Sequence, residues 1–98
     1  MNYNEASQRF AERMKRNYPS GTRIELIQLN DPYTTIPPGT RGTVRFVDDI
    51  GTVHPAWDNG RSLGLVPGED SFRKLTPEEI EAENYTESPV EQDGGMKL

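Results

Sequence analysis

The chain has no cysteine, one histidine and no apolar run long enough to cross a bilayer. The first absence removes disulfides, thiolate nucleophiles and cysteine zinc sites. The second leaves His54 as the sole imidazole for acid–base work or metal ligation. The third argues against a membrane-spanning helix, which needs about 20 apolar residues. The start, Met1-Asn2-Tyr3-Asn4-Glu5, has neither the basic residues nor the apolar stretch of a secretory signal. These absences lead us to expect a soluble protein of a reducing cytoplasm, with no membrane association.

Apolar residues are also scarce, at 32% of 98, which allows one small core and no more. The charges show where the chain stops contributing to it. Residues 76–98 carry seven acids against one lysine, whereas the remainder is close to neutral. The acidity is a property of the tail and gives no hint of a nucleic-acid partner.

Asn4 to Arg16 reads as a helix capped by Asn4, with Ala6, Phe10 and Met14 as a narrow apolar stripe. So short a helix must dock on something, either its own domain or a partner. From Thr22 the period turns to alternation. Thr22–Leu29 places Ile24 and Leu26 on one face, Gly42–Asp48 places Val44 and Phe46 inward, and Thr52–Asp58 carries Val53 and Trp57. Pro38-Gly39 suits a type II turn, Asp49-Ile50-Gly51 a tight connection, and Asn59-Gly60 a two-residue hairpin into a fourth strand, Arg61–Val66. A helical turn at Asp70–Phe72 and a last strand at Arg73–Leu75 complete the set. Thr76-Pro77-Glu78-Glu79 is a helix start with capping threonine, first-position proline and returning glutamate, expected to run to about Asn84. Beyond Tyr85 we expect disorder.

The expected architecture is mainly β: a small five-stranded SH3-like barrel at residues 18–75. An amphipathic helix at 1–17 precedes it, and a short helix with an acidic tail, 76–98, follows. Closure removes the exposed edges of a loose sheet; a split two-layer sheet with the helix across it is the main competitor.

Catalytic and metal constellations are weak. Ser62 or Ser71 with His54 and Asp48 or Asp58 can be drawn as a triad, but only geometry identifies one. A surface strand histidine is the plainer reading. One histidine and scattered carboxylates have no metal-ligand spacing, and Gly39, Gly42 and Gly51 form no phosphate cradle. We expect no enzyme and no cofactor. Binding remains. In an SH3-like barrel the long first loop would put Tyr33, Pro32, Ile36 and Pro37 along a shallow groove, rimmed by Arg41, Arg45 and Arg61. Trp57 shares strand parity with Val53, so core packing competes with a place in the groove wall. The partner expected is a protein, with a small nucleotide as the alternative. Nucleic acid is disfavoured because acids nearly cancel the bases around the fold.

The blocks Tyr18-Pro-Ser-Gly-Thr-Arg-Ile-Glu-Leu-Ile, Asn30-Asp-Pro-Tyr33, Ile36-Pro-Pro-Gly-Thr-Arg-Gly-Thr-Val44, Trp57-Asp-Asn-Gly60, Ser62-Leu63 and Pro67-Gly68 occur in this order. Together they resemble the small bacterial, phage and mobile-element proteins of domain of unknown function family 4314, over Tyr18 to Leu75. The resemblance implies a bacterial or phage setting and carries no activity. Pro55 stands where that pattern has an apolar strand residue such as valine. Because proline cannot donate to a ladder, its strand should lie at an edge or near a bulge.

Overall fold

A computed structural model describes residues 3–31, 33 and 36–87. The elements are α1 (Tyr3–Asn17), β1 (Arg23–Gln28), β2 (Arg41–Val47), β3 (Val53–Trp57), β4 (Ser71–Lys74) and α2 (Pro77–Glu87). The strands form one antiparallel sheet in the order β3-β2-β1-β4. The disorder expected beyond Tyr85 does not begin there, since residues 86–87 belong to α2; the rest of the tail, everything beyond Glu87, lies outside the described residues, as does Pro32.

One face of the sheet is the core. Ile24, Leu26, Val44, Val53 and Leu65 are all but inaccessible, each contributing about 1.5–3 kcal/mol by burial. α1 closes this face, so the helix belongs to its own domain. Met14 and Ala11 are buried and Phe10 packs at the margin. The stripe is shifted from the expected one, because Ala6 is exposed and Ala11 takes its place. Asn4 lies inside α1, which begins at Tyr3. The Phe10 ring rests directly on Gly51, where a β-carbon would come within 2.4 Å of it.

The turns follow their residues closely. Pro37-Pro38-Gly39-Thr40 is closed by the Thr40 amide on the Pro37 carbonyl at 3.2 Å, with Gly39 at φ +92°. That is the type II turn expected from Pro38-Gly39. Asp49-Ile50-Gly51 joins β2 to β3 as a three-residue loop: Gly51 N–H donates to Asp48 O and Asp48 N–H to Thr52 O, both 3.0 Å. Asn59-Gly60 departs from the two-residue turn. The bonds Gly60 N–H to Trp57 O and Trp57 N–H to Arg61 O enclose three residues, Asp58-Asn59-Gly60. Both loops are the type in which a left-handed glycine makes a bulge after a tight turn.

Three strand assignments are corrected. Arg61–Val66 is no strand; among the described residues its main-chain bonds to β3 are those of the bridge Val53↔Leu65 and the hairpin-closing bond. The reason is Pro55. In the register set by Val53↔Leu65, the next hydrogen-bonded pair would be residues 55 and 63, and proline has no N–H to give. Asp70–Phe72 is not a helical turn, since β4 already includes Ser71 and Phe72. The Asp70 carboxylate accepts the amides of Asn30 and Val66. This pins the turn at 66–69 and delivers Ser71 extended onto β1. Phe46 does not face in: it is 48% exposed while Val47 is buried. The β2–β3 register slips between Val44 and Phe46, and one extra residue at Arg45 reverses side-chain parity beyond it. β3 is thus an edge strand in the sheet order, facing a bulge, as Pro55 requires.

Thr76 and Glu79 form the expected reciprocal cap, Glu79 N–H to Thr76 Oγ1 at 3.1 Å and Thr76 N–H to Glu79 Oε1 at 2.8 Å. The helix runs three residues further than Asn84, to Glu87.

Candidate functional site

The gap left by Pro55 has two consequences. On the inner side, the Leu63 carbonyl that should accept an amide from residue 55 accepts the Trp57 indole N–H at 3.0 Å. On the outer side, the separated segments border a cleft of about 280 Å³ lined by Arg45, Phe46, His54, Pro55, Ser62, Leu63 and Gly64. The bulge supplies its aromatic wall. Turned out of the core, Phe46 stacks on His54 with ring centres 4.5 Å apart and planes at 13°.

His54 is fixed in this stack. Its Nε2 lies 2.8 Å from Asp48 Oδ2, and Asp48 Oδ1 accepts the amides of Thr52 and Ile50. Burial pushes the Asp48 carboxyl up, but the His54 hydrogen bond and the two amides outweigh it, leaving it below its ordinary value. An ionised Asp48 accepts only, so Nε2 carries the proton and donates. Gly64 makes room for the ring: a β-carbon there would stand 3.3 Å from His54 Cε1 and 3.0 Å from Thr52 Cγ2. Ser62 and His54 line the same cleft and Asp48 holds His54, yet among the described residues no hydrogen bond joins Ser62 to His54. The other ring nitrogen, Nδ1, lies over Gly64 instead. The arrangement is a flat aromatic platform with a cation beside it, suited to receiving an apolar or planar group. Among the described residues no group of three or more histidine, aspartate or glutamate side chains is placed to hold a metal ion.

The same outer face of the sheet carries a second feature at its other end. Arg23, Arg41 and Arg73 are interleaved with Glu25 and Asp58 and covered by Glu79 and Glu83 of α2. Arg73 grips Glu79 with two bonds of 2.8 and 2.7 Å, and Arg23 grips Glu83 with two of 3.1 and 2.6 Å. The Arg73 hydrogen bonds, helped by the Thr76 amide, hold the Glu79 carboxyl down at about 2. Arg23, then Arg41, lowers Glu83 likewise.

Of the six residues read from the sequence as contacts, only Arg45 lines the cleft. Trp57 is 3% exposed and lies beneath it in the core. Arg41 is held by Glu25 and Glu83 on the outer face. Tyr33 is 90% exposed in the first loop, its amide bonded to the Asp31 carboxylate. Pro37 is exposed and its carbonyl closes the neighbouring turn, while Ile36, expected in a groove, is in the core. Arg61 is exposed just after the β3 hairpin, its amide on Asn59 Oδ1. Phe46, His54 and Leu63 were not anticipated. The signal for them was Pro55 itself, whose missing donor foretells a gap and whose neighbours line it.

A mainly β domain with an open polar cleft beside an edge strand is thus the class defined by fold and site. The family model described as Domain of unknown function (DUF4314) matches residues 7–75, and the chain belongs to that family. No curated protein matches it.

Proposed function

We propose that this chain is a non-enzymatic binding module that engages a protein partner at the Phe46–His54 cleft. One observation carries the reading: a bulge turns Phe46 out of the core, where burying it would contribute about 1.5–3 kcal/mol, and parks it half-exposed on a histidine held by Asp48. Bulges beside sites commonly re-aim a side chain in this way. Arg45 at the bulge adds a cation for a partner's carboxylate or carbonyl.

The finer fold reading is an SH3-like barrel. Its support is the sheet order β4-β1-β2-β3 with Leu65 bridged to β3, which sets the segments in the sequence expected of such a barrel. A bacterial phage or mobile element as source, and the cytoplasm as setting, are the contexts that fit the family resemblance.

The test is site-specific photo-crosslinking in the bacterial host, with the reactive group at Ser62 beside the cleft or at exposed Ile27 as control. A discrete protein adduct from Ser62 alone supports the reading. Equal adducts from both positions, or none from Ser62, contradict it.

A further inference from the structure

The arginine end of the outer face has an unusual cover. α2 presents Glu79 and Glu83, four residues apart on one side of the helix, to Arg23, Arg41 and Arg73. Apolar support is slight: Ile80 is half-buried, and Tyr85 is 80% exposed. An 11-residue helix is marginal alone in water, so these ion pairs contribute much of what holds it on the sheet. The forks beneath also have partners on the sheet itself. Glu25 holds Arg41 and Arg73, and Asp58 with Thr43 holds Arg23. The face is thus organised for carboxylates before α2 arrives. Finally, the family match covers residues 7–75, and α2 begins at Pro77, so the cover lies outside the matched segment.

We infer that the Arg23–Arg41–Arg73 face is a docking surface for an acidic helix of a partner protein, and that α2 is its tethered competitor. The fit shown by α2 gives the partner's chemistry: two carboxylates one helical turn apart, with a branched apolar residue directly after the first, as Ile80 follows Glu79. Bidentate guanidinium–carboxylate pairs supply the orientation, and α2 suppresses weaker acidic segments because its tether gives it a high effective concentration. The surface is separate from the Phe46–His54 cleft and does not depend on it.

A fluorescent peptide of residues 76–87 serves as the probe, titrated into the full chain, wild type or with Glu79→Gln and Glu83→Gln together. The double variant, checked by circular dichroism and urea unfolding, is expected to bind the peptide at least about tenfold more tightly than wild type. Adding Arg73→Glu to it should abolish binding, raising salt should weaken it, and Phe46→Ala should leave it unchanged. Equal binding by wild type and the folded double variant overturns the proposal, because α2 then guards nothing. Binding insensitive to Arg73→Glu overturns it as well. Should the double variant unfold, hydrogen exchange of α2 in wild type decides: loss of α2 protection with salt while β1–β4 stay protected supports a detachable cover, and unchanged protection refutes it.

Discussion

The indole N–H of Trp57 bonds to the carbonyl of Leu63 at 3.0 Å, the acceptor that a strand amide at position 55 would otherwise reach. One proline thereby converts a plain hairpin into a buried side-chain bond on one side and an open cleft on the other. The missing strand and the open cleft trace to that substitution of a side-chain donor for a main-chain one, while the bulge at Arg45 turns Phe46 outward to form the aromatic platform.

Pro55→Val should restore the donor. We expect residues 61–65 to join β3 as a regular strand, the cleft to narrow, and stability to rise by about 0.5–1.5 kcal/mol. Amide exchange measured by NMR checks this: slow exchange of the newly introduced amide at position 55 is the expected result.

Trp57→Phe keeps an aromatic side chain, smaller than indole, and removes the donor. The Leu63 carbonyl is left without a partner beneath the cleft, at a cost of about 1–3 kcal/mol, to be read from urea unfolding. In the background of Pro55→Val the same change should cost less, because the new amide takes over. Additive effects of the two changes would show that they do not share an acceptor.

Gly51→Ala meets two obstacles at once. The position sits at φ +91° and its β-carbon would drive into the Phe10 ring at 2.4 Å. Left-handed strain of about 1–2 kcal/mol adds to displacement of α1 from the sheet. Thermal unfolding should fall accordingly, and Phe10→Ala should recover part of the loss.

Acid should release α2 before it unfolds the sheet. Glu79 is held at about 2 and Glu83 is lowered too. A carboxylate depressed on folding adds stability above its unfolded pKa and loses it as pH falls through the folded one. The α2 contribution is therefore present at neutral pH and disappears between about pH 4.5 and about pH 2. Chemical shifts of α2 followed by NMR should move in that window, and Glu79→Gln should remove most of the change.

Much of this fold was legible from side-chain pattern. The Ile24/Leu26 alternation, the Pro-Gly turn and the Thr76–Glu79 cap are local rules, satisfied by residues that need no distant partner. The errors arose where one residue changed the rule for its neighbours. An extra residue at Arg45 inverted the parity of Phe46, and Pro55 cancelled the strand that the pattern promised at Arg61–Val66. The candidate site was poorly legible for the same reason: its walls are side chains displaced by these two irregularities. The ion-pair cover was invisible because charge runs do not say which face they will meet.

The most direct test compares affinity capture by the wild-type chain with capture by Phe46→Ala, partner bands being quantified by mass spectrometry. Phe46 contributes little to the core, so the account predicts an unchanged melting temperature and loss of the partner that Ser62 crosslinks. Undiminished capture by a folded Phe46→Ala protein would contradict it.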